Sequence, residues 1–474
     1  MAVVRFGTDG IRGTTSNRGG TRLTPEFALR VGQAIGEVIR SGDAPASRPV
    51  AVIGHDSRIS GDMLQSALVA GLLAQGIDVV RAGVVPTPAI AFLTKHIGAS
   101  LGIVISASHN PADDNGIKVF GADGYKLSDE VERQIEDAIN APGNSIMPRD
   151  TMKLGRVQPE KSLSQMYIEH LVQGWEGKSD LSGKSVLLEC ANGATSSVAP
   201  EVFRRLGADT GVVSGMPDGL NINESYEYVT PQRFGRLVSE KGADIGVAFD
   251  GDGDRVILVD EHGQVVDGDC ILAMLAQDMA AHGRLRGDAV VTTNMSNFGL
   301  HDSLRRIGKG IQVVETQVGD KYVLACMRAN GYTLGGERSG HILILDRKAT
   351  TGDGIYTALA VMAVMVNRNV RLSTLASAME RYPQFIESAP VPAQRRPLAE
   401  IGEVQTALDR LRMDLKVPVD INLRYSGTED KVRLSIRGWA DSDPDLMTQK
   451  GREAVEQVAR IVAARGPASN MASP

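Results

Sequence analysis

The chain reads as an α/β protein built from three similar α/β domains with mixed or parallel sheets, followed by a smaller C-terminal α+β domain. Three observations predict this. The 474 residues, 42% of them apolar, exceed what one hydrophobic core serves and suit roughly three or four domains. Leu-Leu-Ala-Gln-Gly-Ile-Asp-Val-Val (72–80) recurs in outline as Phe-Arg-Arg-Leu-Gly-Ala-Asp-Thr-Gly-Val-Val (203–213) and Leu-Arg-Arg-Ile-Gly-Lys-Gly-Ile-Gln-Val-Val (304–314). Each copy reads as a helix end, a glycine cap and a strand, and spacing by about a domain length favours three related units. Finally, 383–397 carries four prolines and paired arginines, a linker composition that sets off the C-terminal domain. With further candidate boundaries at 142–149 and 260–269, the predicted domains are 1–152, 153–259, 260–382 and 383–465, with 466–474 as a disordered tail.

In chain order, Arg5-Phe-Gly-Thr-Asp-Gly-Ile-Arg-Gly13 is a glycine-rich segment with two arginines, suited to a loop packed near an anion. Thr24-Pro25 reads as N-cap and first helical residue, and Phe27, Val31, Ala34, Ile35 and Val38 recur at helical spacing, which predicts an amphipathic helix over 25–40. A strand at 50–53 delivers the polar turn 54–61 and then a helix through Gln75. This alternation of strand and helix implies a parallel sheet. The C-terminal domain is predicted to hold strands near 418–424 and 432–437 and a helix at 443–464.

Composition narrows the function. A net charge of −6 supplies no global field for nucleic acid or an anionic membrane, so an anionic substrate must be held by local clusters. Cys190, Cys270 and Cys326 form no Cys-x-x-Cys, which fits a reducing compartment without disulfides or zinc. The N-terminal residues lack a signal-peptide core, and the most apolar run, 358–366, is far short of the roughly 20 residues a membrane span needs. A soluble cytoplasmic protein with no nucleic-acid or membrane partner is expected.

Four motifs carry chemistry. An apolar strand at 101–105 runs into Ser106-Ala-Ser-His-Asn-Pro111, a loop that presents the Ser108 hydroxyl as a nucleophile; the alternative is a turn whose Ser and Asn only cap backbone groups. Asp250-Gly-Asp-Gly-Asp-Arg255 places three carboxylates on one tight loop, which repel unless a cation neutralises them, and an all-oxygen set selects a hard ion. Asp250, Asp252, Asp254 and Glu261 also match EF-hand positions, but Arg255 stands where that turn requires glycine and the flanks read as strands. Leu334-Gly-Gly-Glu-Arg-Ser-Gly-His341 offers Glu337, Ser339 and His341 to sugar hydroxyls, or is simply a hairpin turn. Arg424-Tyr-Ser-Gly-Thr-Glu-Asp-Lys-Val-Arg433 sets Ser426, Gly427 and Thr428 between two arginines as a phosphate clamp, or is a charged hairpin. Together they point to phosphoryl transfer on a phosphosugar. For the acceptor hydroxyl's proton, Lys118 and Arg12 are the nearest candidates, Lys118 provided that neighbouring cations lower its pKa. His109 is another, unless it only hydrogen-bonds a phosphate on Ser108.

With these four motifs in family order, the chain from Arg5 to about Arg465 resembles the α-D-phosphohexomutase family. Segments 5–13, 190–194, 217–223, 295–300 and 351–354 resemble its bacterial branch acting on glucosamine phosphates. The resemblance implies a heart-shaped arrangement of the four domains around one cleft, and an isomerase that interconverts glucosamine 6-phosphate and glucosamine 1-phosphate through a phosphoserine and a 1,6-bisphosphate, supplying amino-sugar nucleotides. Mannose or glucose phosphates are the alternative substrates. It also implies phosphorylation of Ser108 by a kinase or by the enzyme itself, and one Mg2+ per subunit on Asp250, Asp252, Asp254 and the phosphoserine. Glucosamine or glucose 1,6-bisphosphate is the implied activator, and the protein a monomer or homodimer. Arg255, Glu337, Ser339, His341, Arg424, Ser426, Gly427, Thr428 and Arg433 bind substrate on this reading. Two departures bear on the sugar's identity: Arg338, where that branch usually carries Gln, and Glu-Ser-Tyr-Glu-Tyr-Val-Thr-Pro (224–231) in place of its Gly-Cys-Gly-Ser-Thr-His-Pro.

Overall fold

The computed structural model describes residues 5–7, 9–16, 22–41, 48–141, 153–159, 162–225, 231–307, 310–345, 349–426 and 430–465. The predicted tail 466–474, the candidate boundary 142–149, Gly427 and Thr428 lie outside them. Among the described residues, no helix is long and apolar enough to cross a membrane.

Four sheets follow one another along the chain. The first contains β1 (Ile11–Thr14), β2 (Val50–His55), β3 (Asp78–Val84), β4 (Leu101–Ile105), β5 (Asp114–Gly121) and β6 (Val157–Gln158) in the order β1-β5-β4-β2-β3-β6. Its β4-β2-β3-β6 part is parallel, and β5 and β1 add antiparallel at one edge. The second contains β7 (Ser185–Glu189), β8 (Asp209–Val213), β9 (Ile245–Phe249), β10 (Val256–Asp260) and β11 (Val265–Val266) in the order β11-β10-β9-β7-β8. Here β9-β7-β8 is parallel and the other two strands are antiparallel. The third contains β12 (Ala289–Thr293), β13 (Gln312–Thr316), β14 (Leu334–Gly336) and β15 (Ile342–Ile344) in the order β13-β12-β14-β15. Strands buried on both faces, such as Leu101–Ile105 and Ile245–Phe249, read as continuous apolar runs because helices cover both sides.

The sequence repeat marks the same joint in each of these sheets. Helix Ser60–Ala74 passes through Gly76 into β3, Thr195–Arg205 through Gly207 into β8, and Phe298–Arg305 through Gly310 into β13. Gly76 and Gly207 have φ of 80° and 91°, the left-handed conformation that ends a helix without a Cβ clash; the corresponding Gly308 lies outside the described residues, and Gly310, with φ of 82°, leads into β13.

The fourth sheet is antiparallel and contains β16 (Gln384–Pro390), β17 (Val419–Tyr425) and β18 (Lys431–Gly438) in the order β16-β18-β17. Helices Gly402–Leu415 and Pro444–Arg465 pack on it through Val404, Leu408, Leu411, Val455 and Val458. The proline-rich stretch predicted as a linker is therefore corrected, since most of its first half is β16. Pro383 precedes that edge strand and Pro390 ends it, where a missing N–H costs least in the ladder.

By compactness the chain forms two units, Met1–Asn294 with Val313–Ala378, and Met295–Gln312 with Met379–Pro474. Helix Phe298–Arg305 falls within 260–382 in sequence but packs in the C-terminal unit. There Phe298 stacks on Trp439 (centroids 4.4 Å) and lies under the Arg437 guanidinium at 4.4 Å. Asn297 Nδ2 donates to the Tyr382 carbonyl at 2.8 Å.

Candidate active site

Ser108 is fully buried and has φ of 53°, a conformation that costs a non-glycine residue energy and persists only where surroundings enforce it. Its N–H donates to Ser106 Oγ (2.9 Å), and Ser106 Oγ donates to Asp56 Oδ2 (2.6 Å). Asp56 Oδ2 also fixes Arg58 Nε at 2.9 Å. The buried Arg58 guanidinium then donates to the carbonyls of Ser108 (3.0 Å), Asn110 (2.8 Å), Asp114 (2.9 Å) and Pro111. From the second sheet's side, Asn223 Nδ2 donates to the Ser108 and Asn110 carbonyls at 2.9 and 3.0 Å. Asp56, Arg58 and Asn223 were not identified as site residues from sequence. For Asp56 and Arg58 the available signal was that 54–61, like 106–111, is a polar turn at the end of an apolar strand; for Asn223 it was its place in 217–223, one of the segments that carry the family resemblance.

The strand β9 delivers Asp250, Asp252 and Asp254, all buried, with one carboxylate oxygen of each within 4.8 Å of the others. Ser108 Oγ donates to Asp250 Oδ2 at 2.5 Å, so the proposed nucleophile and the acidic loop meet. Gly251 permits this approach, because a Cβ there would lie 2.7 Å from the Ser108 carbonyl oxygen. Thr87 Oγ1 (2.5 Å) and Lys118 Nζ (2.8 Å) donate to Asp252 Oδ2, and Lys118 Nζ reaches Asp254 Oδ2 at 3.2 Å. The buried Oδ1 atoms of Asp252 and Asp254 have no hydrogen-bond partner among the described residues. Buried carboxylate oxygens left without donors, in an all-oxygen cluster, fit a hard divalent cation. Burial and the charges of Asp254 and Asp252 push Asp250 well above the usual carboxylate range, the repulsion a cation would relieve. The loop is no EF-hand: β9 and β10 flank it as antiparallel strands, and Glu261 accepts from Ser373 Oγ at 2.6 Å.

Lys118 lies on β5 opposite Val104 of β4. Burial pulls its pKa down, but Asp252, Asp254 and Asp9 outweigh burial and hold it well above the ordinary lysine value. This corrects the expectation that neighbouring cations lower it; carboxylates surround it instead. His109 Nδ1 is 3.4 Å from Ser108 Oγ and 3.0 Å from Arg255 Nη1. A guanidinium can only donate, so Nδ1 accepts, and burial together with Arg255 and Arg12 lowers the His109 pKa to about 3. That makes His109 a neutral acceptor and a weak base. Arg12 donates to Asn110 Oδ1 (3.4 Å) and pairs with Asp9. Arg255 also lies 3.7 Å from Asp254 Oδ1.

The segment 337–341 does connect antiparallel strands, with Gly336 opposite Ile342, so it is a hairpin that also carries the expected polar groups. Glu337 Oε1 accepts from the Gly319 N–H (3.1 Å) and Oε2 from Ser339 Oγ (3.4 Å). His341 is buried, with Nε2 3.9 Å from Asp254 Oδ2 and 3.8 Å from Asp320 Oδ2. Arg338 Nε lies 3.3 Å from Asp267 Oδ2. In the first compact unit, then, the structure brings together Arg12, Ser108, His109, Lys118, the three aspartates, Arg255 and His341. In the C-terminal unit, Arg424 and Arg433 are register partners on β17 and β18, Arg433 Nε donates to Ser388 Oγ (3.2 Å), and the Ser426 N–H donates to the Lys431 carbonyl (2.9 Å).

Residues 3–145, 165–263 and 267–382 match the family models for phosphoglucomutase/phosphomannomutase alpha/beta/alpha domains I, II and III respectively. The phosphoglucosamine mutase of Geobacillus kaustophilus is 44% identical over 458 residues, covering 96% of this chain and 98% of that protein. That of Geobacillus thermodenitrificans is 45% identical over 430 residues, covering 90% and 93%. Among solved structures, a phosphoglucomutase/phosphomannomutase family protein from Burkholderia thailandensis superposes with a TM-score of 0.75 at 24% identity, covering 95% of this chain and 97% of that one. Aspergillus fumigatus N-acetylphosphoglucosamine mutase, solved with GlcNAc-6P and magnesium, gives 0.62 at 18% identity, covering 98% and 96%. These structural likenesses speak to the fold, whereas the domain matches and the full-length relatives decide kinship: the chain belongs to the phosphoglucomutase/phosphomannomutase family of α-D-phosphohexomutases.

Proposed function

We infer that the protein is an isomerase that interconverts glucosamine 6-phosphate and glucosamine 1-phosphate through a phosphoserine at position 108. One observation carries the chemistry: the Ser108 hydroxyl, held in a strained loop, donates to Asp250 inside a buried cluster of three carboxylates. The relatives named phosphoglucosamine mutase, at 44–45% identity over nearly the whole chain, supply the substrate.

Phosphoserine 108 gives its phosphoryl group to the free C1 or C6 hydroxyl; the Oγ–P bond breaks, a sugar O–P bond forms, and the proton lost by the sugar hydroxyl ends on the released Ser108 Oγ. The resulting 1,6-bisphosphate turns over, and its other phosphate returns to Ser108 Oγ. Arg58 and Asn223 hold the loop so that Oγ keeps one position through both transfers. Lys118 and Arg255 keep positive charge beside the acidic loop where phosphoryl oxygens gather. Lys118 Nζ contacts Asp9, Asp252 and Asp254, and Asp9 would keep it partnered when the two other carboxylates turn to a cation. His109 accepts from Arg255 and so orients that guanidinium. Asp250, Asp252 and Asp254 are the residues that would hold Mg2+, which when bound supplies charge neutralisation for the transferring phosphoryl group. Glu337 and Ser339 are assigned to ring hydroxyls and His341 to the same pocket wall. Arg424, Ser426, Gly427, Thr428 and Arg433 are assigned to a phosphate by their charge and donors. Glucosamine or glucose 1,6-bisphosphate would reactivate dephosphorylated enzyme, and a kinase or self-phosphorylation would prime it.

A side-by-side assay on glucosamine, glucose and mannose phosphates, with peptide mapping of the purified protein, tests this. Turnover should be highest on glucosamine phosphate, and phosphate should map to Ser108. Preference for mannose or glucose phosphate would favour the alternative substrates, and full activity with no phosphate on Ser108 would overturn the mechanism.

A further inference from the structure

The opening segment 5–13 carries a carboxylate, Asp9, to which the phosphoryl-transfer steps give no task beyond contact with Lys118. Asp9 Oδ2 takes Lys118 Nζ at 2.9 Å and Asp9 Oδ1 takes Lys126 Nζ at 2.6 Å. Lys126 Nζ reaches Asp320 Oδ2 at 2.5 Å, Asp320 Oδ2 stands 3.8 Å from His341 Nε2, and that nitrogen is 3.9 Å from Asp254 Oδ2, which returns to Lys118. Six titratable side chains thus close a loop, Lys118–Asp9–Lys126–Asp320–His341–Asp254, and none is more than 15% exposed at its side chain. It joins the first sheet, the acidic loop and the hairpin that carries Glu337, whose Oε1 accepts from Gly319, the residue before Asp320.

Two features separate this loop from ordinary surface pairing. Residues 123–132 and helix Asp320–Asn330 also meet through Lys321 with Asp129 (2.5 Å) and Glu132 (3.3 Å), and through Arg328 with Asp123 (3.8 Å) and the Tyr125 ring (4.1 Å). Of those outer pairs, Lys321–Asp129 and Arg328–Asp123 are exposed on at least one side and contribute little, and Lys321–Glu132 is half-buried; Lys126–Asp320 is the more deeply buried pair and is joined inward to Asp9. Furthermore, of Lys118's three carboxylates, Asp252 and Asp254 belong to the cluster that fits a metal, whereas Asp9 does not. Asp9 is the acceptor that Lys118 does not share with a bound cation.

We propose that Asp9, Lys126 and Asp320 are positioning residues for phosphoryl transfer, fixing Lys118 against the acidic loop and tying its position to the sugar-facing hairpin. The inference rests on the mutase reading. Lys126→Met takes one cation from both Asp9 and Asp320, leaving Asp9 to Lys118 and Arg12, so the defect appears in turnover and not in sugar affinity.

The test is steady-state kinetics of the full chain with Mg2+ and bisphosphate, on glucosamine 6-phosphate. Wild-type activity is the control: its absence on glucosamine 6-phosphate refutes the glucosamine assignment and not the coupling, which is then measured on whichever hexose phosphate turns over. Lys126→Met should lower kcat on the order of 10- to 100-fold, the usual scale for supporting groups around a metal site, with KM unchanged. Lys126→Arg should recover most of the loss. Asp9→Asn combined with Lys126→Met should be no worse than the poorer single variant, because both act through Lys118. The outer-pair variants Lys321→Ala and Arg328→Ala should match wild type. If Lys126→Met does not fold, the charge-neutral double variant Lys126→Met/Asp320→Asn takes its place. Wild-type kcat in the folded variant, a defect confined to KM, or additive losses for Asp9 and Lys126 would each overturn the proposal.

Discussion

The Ser108 site and the Arg424–Arg433 hairpin both handle charge, yet they are built in opposite ways. The first gathers buried polar and charged groups from segments as far apart as Arg12 and His341, and many are answered within the site: Asp252 by Lys118, Asp9 by Lys118 and Lys126, Arg58 by Asp56 and a set of carbonyls, while the acidic loop keeps charge that a cation would answer. The second draws its two arginines from opposite register positions of one hairpin, and both are half-buried. Buried charge is expensive unless compensated, so the Ser108 site is over-determined and tolerates no lost partner. A half-buried hairpin can lose one cation and still fold. The difference separates residues that set the rate from residues that set affinity.

The largest expected break is Asp252→Asn. It removes charge from the cluster and an acceptor from both Lys118 and Thr87, so kcat should fall on the order of 1000-fold while KM for the sugar phosphate changes little; initial rates across Mg2+ concentration check this. Next is Arg58→Met, which leaves Asp56 and several loop carbonyls without their donor. Removing one partner of a buried pair costs about 3–5 kcal/mol, to be read from urea unfolding. On the hairpin side, Arg424→Ala should raise KM roughly tenfold, the scale of one charge-assisted hydrogen bond, and leave stability nearly unchanged. A kcat defect without a KM change there would erase the contrast.

The smallest effect sharpens the comparison with a buried carboxylate that has no cation partner among the described residues. Asp353 accepts from Tyr167 Oη (2.7 Å) and caps helix Gly354–Arg368 through the Tyr356 N–H (2.9 Å), and burial raises its pKa to about 6. Burial also raises Asp9, but Lys118, Lys126 and Arg12 overcome it and hold Asp9 well below the usual range. Because the folded pKa of Asp353 exceeds the unfolded value near 3.9, its favourable contribution is complete below about pH 4 and is lost as pH rises through 6. Asp353→Asn can still accept from the Tyr356 N–H through Oδ1 and donate to Tyr167 Oη through Nδ2, and should flatten stability over that window, by up to about 3 kcal/mol from the shift in question. Thermal unfolding between pH 4 and 7 measures it.

Much of this was legible from the amino acids because the informative units are local. Apolar strands ending in Ser106–Pro111 and Asp250–Arg255 announced two polar loops that meet in the folded chain, and alternating carboxylates on a glycine-articulated turn announced a buried cluster that could hold a cation. The three helix–glycine–strand repeats announced three like sheets, since a glycine ending one element and opening the next is a property of a few consecutive residues. The 383–397 segment misled for the same reason: its prolines describe a linker composition, while its pairing with β18 depends on residues about 40 positions later.

What the sequence by itself determined is the fold class and the two loops, the one that carries Ser108 and the acidic one, that the structure brings together. Only the tertiary structure decided the electrostatics. Lys118 looked like a base that neighbouring cations would tune, and His109 like another, but a pKa is set by the groups within a few ångströms in space. For Lys118 those neighbours are Asp9, Asp252 and Asp254, and for His109 they are Arg255 and Arg12. Arg58 and Asn223 were invisible as functional residues because nothing local distinguishes an arginine or asparagine that will bury its donors on a distant loop. Long-range charge compensation becomes readable only once the chain has folded and the partners are close enough to answer one another.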